Sequence, residues 1–349
     1  MIKELCVIGN VSTLGGADTE LMDQIKCWFK MGIKTYILHT GPLKETPLKK
    51  EVEIEYNCEY LTPRMWNQCK DMHCISFCNG QFLTNLHLIK KHARSTTFVN
   101  CMTWNFKKEI DCQKRGLIDF HLYQTEHAHR LVSKGLKQFD NYKPLMFDPY
   151  FDCELFPYMD NRSVDRFRFG RISRSDMAKY NNKQFDIYDS IVSPIRKSGL
   201  VLGWTDRINK KVHLDKSKLD EEQPRYNKYI QLYPDCEITQ QEFYKFCDVM
   251  ILTADTFENL PRVGFECMSS GSVMVVNNRG GWQQQIENGV TGFLCDTPEE
   301  FIDKSSLLAS NAQLKEDLRG AARHKLELEW GMEKSMKSWD LVFKEWEKI

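Results

Sequence analysis

Short apolar runs alternate with segments of helical spacing twice along this chain, and that alternation limits its fold more than any other feature. LCVIG, at residues 5–9, is a continuous apolar run of the kind that parallel strands show. It leads through NVSTLGG into ADTELMDQIKCWFKMG, where Leu21, Ile25, Trp28 and Phe29 recur at helical spacing and Gly32 stands where a C-cap would. KTYILHT, HCISFC, the helical QFLTNLHLIKKHAR, TTFVNCMTW, DFHLYQT and the helical EHAHRLVSKG follow. Such a βαβ succession calls for a parallel sheet with helices on both faces.

The pattern breaks at NYKPLMFDPYFDCELFPYMDNRS and then resumes: RFRFGRIS, FDIYDSIVSPIRK, LVLGW, a charged connection, KYIQLYP, QQEFYKFC, DVMILTA, a helix holding VGFECMSSG, SVMVVNN and GFLCD. The expected organisation is α/β, with two Rossmann-like, doubly wound domains over 1–155 and 156–330 and a final helix over 331–349. Trp339, Leu341, Val342, Phe343 and Trp346 argue that this last helix packs against something. Two such domains facing each other would place a cleft at the carboxyl ends of both sheets.

Composition removes some classes. The 48 basic and 48 acidic residues cancel, so no overall pull toward nucleic acid or a membrane surface arises. No apolar run approaches the ~20 residues of a spanning helix, and the first is too brief for a signal peptide. Thirteen cysteines, odd in number and lying mostly in apolar segments, fit a reducing compartment, hence a cytoplasmic location. Cys69, His73, Cys74 and Cys78 invite a zinc reading. Cys74 and Cys78 sit four residues apart on one strand, however, which separates their side chains by roughly 13 Å. No metal site is expected.

Three segments carry candidate chemistry. Gly15 and Gly16 open a helix, where close backbone approach and unpaired N–H groups suit an anion or polar acceptor; the spacing is not that of a dinucleotide fingerprint. In RFGRISRSDMAK, Gly170 allows a sharp strand exit, and Arg171, Arg174 and Lys179 offer cations suited to a diphosphate. In DVMILTADTFENLPRVGFECMSSG, Glu258 falls in the loop after a strand and Glu266 about two turns into a helix. The amides of Asn259 and Leu260 between them suit a phosphate, and a carboxylate on either side suits sugar hydroxyls.

That last stretch, with Gly271, the strand VMVV, the pair Gly280–Gly281 and ENGVTGFL, resembles the donor site of retaining GT-B glycosyltransferases, whose signature is two glutamates with seven residues between them. GGADTELMDQIKCWFKMGIKTYIL resembles the family's acceptor-side glycine loop and first helix, and FGRISRSDMAK its diphosphate-contacting segment. The resemblance spans nearly the whole chain. It implies a GT-B fold whose last helix crosses back to the first domain, and transfer of a sugar from a UDP- or GDP-type donor to a hydroxyl with retained configuration. Glu258 would contact the sugar and Glu266 the ribose, while Arg171 and Lys179, with Arg174 as a substitute, would neutralise the diphosphate. No cofactor or metal is implied, since no Asp-x-Asp motif appears and basic groups and helix ends serve the leaving group.

The chain departs from the pattern in several places. Asn259-Leu260-Pro261 stands where aromatic-glycine is common, Gln284 where an acid is common, and Thr103 and Trp104 where a histidine is expected on the acceptor side. The default acceptor is a surface glycan or lipid-linked saccharide, which would allow a peripheral position at the inner membrane face. An alternative is a phage-type enzyme acting on hydroxymethylated bases in DNA, in a host cytoplasm. The basic runs IKKHAR, NFKK and INKKVHLDKSK would then hold phosphates. A catalytically silent nucleotide-sugar-binding module is a further alternative. An epimerase would need acid–base residues that the sequence does not offer.

Overall fold

The computed structural model describes residues 2–12, 15–159, 165–212, 214, 216–220, 225–234 and 237–349, with the side chains of Lys216 and Asp220 excepted. The third basic run, 208–218, therefore lies partly outside the described residues. Two compact units emerge: Met1–Phe151 with Glu329–Ile349, and Asp152–Leu328.

The first unit carries β1 (Glu4–Ile8), α1 (Gly16–Lys30), β2 (Lys34–Leu38), α2 (Pro47–Glu55), β3 (Glu59–Leu61), β4 (His73–Phe77), α3 (Gly80–Ile89), β5 (Ser95–Val99), α4 (Lys107–Lys114), β6 (Phe120–Tyr123), α5 (Glu126–Val132) and β7 (Pro144–Met146). Its seven strands lie in the order β3-β2-β1-β4-β5-β6-β7, and every pair is parallel. β7 falls inside the stretch that reads as a break in the pattern. It has only three residues, two of them exposed, so no apolar run announces it.

The second unit contributes β8 (Arg166–Ile172), α6 (Gln184–Ser190), β9 (Arg196–Leu202), α7 (Asp206–Val212), β10 (Leu219–Asp220), β11 (Arg225–Tyr226), β12 (Ile230–Tyr233), α8 (Gln240–Phe246), β13 (Val249–Leu252), α9 (Arg262–Ser270), β14 (Val273–Asn277), α10 (Trp282–Gln285), β15 (Phe293–Cys295) and α11 (Pro298–Ser310). Its eight strands run β10-β11-β12-β9-β8-β13-β14-β15, with β10, β11 and β12 paired antiparallel and the rest parallel. Two helices, α12 (Ala312–Trp330) and α13 (Met332–Trp346), end the chain.

Fully buried strands explain the unbroken apolar runs: β4, β5, β6 and β13 have no exposed residue. α13 buries Trp339, Val342, Phe343 and Trp346, a 3-4-7 spacing that forms one stripe. Trp339 meets Trp28 of α1 edge to face at 5.0 Å and donates from Nε1 to Gln24 Oε1 at 2.7 Å. Leu341 lies off that stripe and is exposed, so only four of the five apolar residues in this segment serve the packing.

In each sheet the chain winds outward from one strand and then returns to that strand's other side. The reversal falls between β1 and β4 in the first unit and between β8 and β13 in the second. Loops diverge there at the carboxyl ends of the strands, which opens a crevice.

Candidate functional site

The loops that leave β8 and β13 flank the reversal in the second unit, and they carry most of the predicted donor residues. After β8 the chain passes exposed Arg174 and makes a single 3-10 turn over Met177–Lys179. After β13 it runs through Thr253–Pro261 into α9. Lys179 Nζ donates to Glu258 Oε1, so the two loops meet through an ion pair of two predicted catalytic groups. Both side chains are largely shielded, at 24% and 14% exposure, which strengthens their attraction over that of a fully solvated pair.

Arg171 behaves differently from the sequence reading. Its side chain has no exposed surface. Nη1 donates to Gln184 Oε1 at 2.8 Å and to the Thr253 carbonyl at 3.3 Å, and Nη2 donates to the Lys179 carbonyl at 2.7 Å and to Ser173 Oγ at 3.2 Å. The Tyr180 ring covers it at 3.6 Å. A guanidinium so committed does not reach a diphosphate. It pins the Lys179 turn and the end of β13 from beneath; of the other predicted cations, Lys179 reaches Glu258 and Arg174 is exposed in the loop before it.

Gly170 is also corrected. The strand continues to Ile172, so no exit occurs at the glycine. A Cβ there would lie 2.5 Å from the Leu200 carbonyl oxygen and 3.0 Å from the Phe243 ring, and close packing is what requires glycine.

The Glu258 loop owes its course to Gly280 and Gly281. Gly281 N–H donates to the Glu258 carbonyl at 2.8 Å. A Cβ at Gly281 would sit 1.4 Å from the Asn259 carbonyl oxygen, and one at Gly280, where φ is 63°, 2.6 Å from that of Glu258. The glycine pair thus lets one backbone lie directly on another. Asn259 and Leu260 are buried beneath it and precede the helix, which begins at Arg262 after Pro261. Their amides thus lie just ahead of the helix start. Glu266 lies one turn into α9 rather than two; it is nearly buried and accepts from the Tyr244 hydroxyl at 3.1 Å. Burial, with the Glu266 carboxylate next in effect, holds the Tyr244 hydroxyl well above its ordinary pKa, so it remains a donor. No side chain caps α9; the Gly264 N–H in its first turn donates to the Pro261 carbonyl at 2.9 Å.

Several participants carry no motif. Gln184, wholly buried, accepts from Arg171, from Thr253 N at 3.0 Å and from Thr253 Oγ1 at 2.8 Å. Lys211 and Asp255 bridge the two loops. A buried polar residue at a helix start and a lysine on a charged helix give no distinctive sequence signal.

At the reversal in the first unit, α1 opens with Gly15 at φ 94° and ψ 143° and no capping side chain. A Cβ at Gly15 or Gly16 would meet nothing within 4 Å, so these glycines border open space. Nearby loops bring neutral groups together: Thr40 Oγ1 donates to Asn10 Oδ1 at 3.2 Å and accepts from Asn79 Nδ2 at 3.5 Å. Thr103 and Trp104 follow β5. Trp104 is half exposed and lies 4.6 Å from Phe106, and its carbonyl accepts from Asn100 Nδ2 at 3.2 Å. Buried Glu109 fixes Asn100 through both carboxylate oxygens, at 3.2 and 2.9 Å. Among the described residues, no cluster of three or more His, Cys, Asp or Glu side chains is arranged to hold a metal ion.

Two doubly wound sheets, each with its crevice at the reversal point, define the GT-B class, and solved structures of the same architecture align over almost the whole chain. Anabaena HepE, solved with UDP and glucose, has a TM-score of 0.74 at 12% identity, over 98% of this chain and 100% of that one. A glycosyltransferase from Rickettsia africae gives 0.70 at 14% identity, covering 99% of each chain. Sucrose-phosphate synthase from Thermosynechococcus elongatus gives 0.71 at 12% identity, covering 98% of each. Residues 226–325, which contain both glutamates, match the family model Glycosyl transferases group 1. Spore coat protein SA of Bacillus subtilis is 28% identical over 94 residues, 26% of this chain and 25% of that protein; the match spans about a quarter of that relative. Among the described residues no helix is long and apolar enough to cross a membrane.

Proposed function

We propose that the chain is a retaining glycosyltransferase that moves a sugar from a nucleoside diphosphate donor, of the UDP type, to a hydroxyl acceptor. The observation that carries this reading is the Lys179–Glu258 pair at the sheet reversal of the second unit, beside the uncapped start of α9. The group 1 family segment and the UDP complex of a protein with the same fold support the donor class.

Without a donor, the ammonium and the carboxylate satisfy each other. Donor entry exchanges these partners: the diphosphate takes Lys179, with Arg174 beside it and the α9 amides in front, and sugar hydroxyls take Glu258. As the anomeric bond breaks, negative charge grows on the leaving phosphate, where a fixed cation and helix-start N–H groups stabilise it. A phosphate oxygen then receives the acceptor's proton on the same face of the sugar, which preserves configuration. Arg171 acts from below by holding the Lys179 turn. Thr103 and Trp104, after β5, are the proposed acceptor contacts, Trp104 offering its exposed ring to a sugar face.

The test is a panel of UDP- and GDP-sugars, followed for nucleoside diphosphate release with and without glycan acceptors. Release from a UDP-sugar, abolished by Lys179→Met, supports the reading. Absence of both binding and release across the panel refutes it.

A further inference from the structure

Lys211 lies in the last turn of α7, inside the third basic run but outside the donor-site motifs. Its helix is seated by buried Ile208 and Val212, one on either side of it along the chain. Nζ donates to the Met177 carbonyl at 2.6 Å and to Asp255 Oδ2 at 2.6 Å. Met177 opens the turn that ends in Lys179, and Asp255 stands three residues before Glu258. Asp255 extends the bridge: its Oδ1 accepts from Asn181 Nδ2 at 2.7 Å, and its N–H donates to the Ala178 carbonyl at 3.3 Å. Thr256 Oγ1 donates to the same carbonyl at 3.4 Å. These contacts tie the two donor loops to each other, directly through Asp255 and Thr256 and indirectly through Lys211 of α7.

We propose that Lys211 and Asp255 form a positioning clamp that fixes the Lys179 turn against the Glu258 loop and so sets the spacing of the two groups that grip the donor. The proposal rests on the reading above for its catalytic consequence, but not for its structural one. The Asp255 side chain is 43% exposed, and a pair this open to solvent contributes little to global stability. Its location gives it leverage of another kind, because a misplacement of about 1 Å in groups that hold a reacting bond costs up to ~100-fold in rate. Lys211 touches neither the sugar nor the diphosphate and acts through its neighbours.

Two measurements on the full chain decide the matter. The first is hydrogen exchange of peptides covering 175–181 and 253–258. In Lys211→Met and Asp255→Asn both peptides should exchange at least tenfold faster, while the rest of the second unit is unchanged; in Lys211→Arg protection should return. The second is UDP-glucose hydrolysis, where Lys211→Met should lower kcat about tenfold with a smaller change in KM. The double variant should do no more harm than either single one, since the two residues act as a unit. Unchanged exchange in both peptides, or additive kinetic losses, overturns the clamp. Faster exchange in a wild-type background that neither binds UDP nor hydrolyses UDP-sugars would sustain the clamp and sink the transferase reading, so the two failures are distinct.

Discussion

The two sheet reversals share a topology and differ in chemistry. In the second unit the crevice holds opposite charges in mutual contact, a buried guanidinium beneath them, and a glycine pair pressed against the backbone of the acidic loop. In the first unit the corresponding place has an asparagine–threonine–asparagine cluster and two glycines that border open space. The same winding therefore supplies two sites with opposite requirements. On the proposed reading one grips a charged group and releases it after reaction, which its braced lysine turn suits. The other suits a neutral polyhydroxyl surface, for which amides, hydroxyls and an exposed tryptophan suffice.

The sharpest way to break this contrast is to remove the charges. Lys179→Met should lower turnover with UDP-glucose by about 100- to 1000-fold, the usual loss when one fixed donor to developing charge is removed. Glu258→Gln should lower turnover comparably, yet bind free UDP up to ~5-fold more tightly, because Lys179 no longer has an internal partner to leave. Calorimetric titration with UDP checks the sign. Weaker UDP binding by Glu258→Gln would mean that the ion pair does not occupy the diphosphate's place. Thr103 and Trp104 variants should keep donor hydrolysis and lose only transfer.

Arg171 sharpens the comparison on the side of stability. Arg171→Ala removes the donor to Gln184, Thr253, Ser173 and Lys179 from a site that water does not reach. Gln184 keeps its two donors from Thr253, but the Thr253 and Lys179 carbonyls lose theirs. An orphaned buried acceptor costs ~1–3 kcal/mol, so a loss of about 3 kcal/mol is expected, visible as a lower urea midpoint. Lys179→Met should shift that midpoint far less. If Arg171→Ala kept full stability and lost only diphosphate affinity, a direct contact would be restored to it.

The glycines separate the two crevices next. Gly281→Ala drives a methyl into the Asn259 carbonyl and should cost more than the ~1–3 kcal/mol of ordinary overpacking, with loss of donor binding. Gly16→Ala meets nothing and sits in a helix, where alanine is favoured by about 1 kcal/mol. Thermal melts should therefore show a large fall for Gly281→Ala and none for Gly16→Ala. A loss of transfer in stable Gly16→Ala would then report a ligand at α1.

Much of this was legible in the residues, for physical reasons that also explain the rest. The alternation of buried strands with amphipathic helices gave both sheets, and the order of motifs brought Lys179 and Glu258 to one place. Burial defeated the reading of Arg171, because an arginine at a strand end looks the same whether it faces solvent or the core. Pro261 is the N-cap of α9 ahead of Arg262, so Asn259 and Leu260 stand just before the helix start. Glycines that allow ligand approach and glycines that allow backbone packing are identical as letters; Gly15 and Gly281 differ only in their surroundings. Lys211, Asp255 and Gln184 follow no pattern, because pairwise fit across loops from different strands leaves no periodic trace.

The last expected effect concerns an ionisable group of the first unit and is read through pH. Asp18, in the first turn of α1 beside Gly15 and Gly16, is half-buried, and desolvation pushes its carboxyl up to about 6. A helix start normally favours a carboxylate, so burial outweighs the dipole here. The sign follows from linkage: the folded state holds the proton more tightly than the unfolded chain, whose value is 3.8. The stability tied to that proton is complete below pH ~3.8 and is lost as pH rises through about 6. Asn resembles the protonated acid, so Asp18→Asn should melt like the wild type near pH 4, increasingly higher than it between pH 4 and about 6, and by a constant margin above pH ~6.5. A difference in Tm that stays constant from pH 4 to pH 8 would show that Asp18 is solvated. The start of α1 would then be as open to water as an ordinary surface, and the contrast between the two reversals would rest on the ion pair, the buried guanidinium and the glycines.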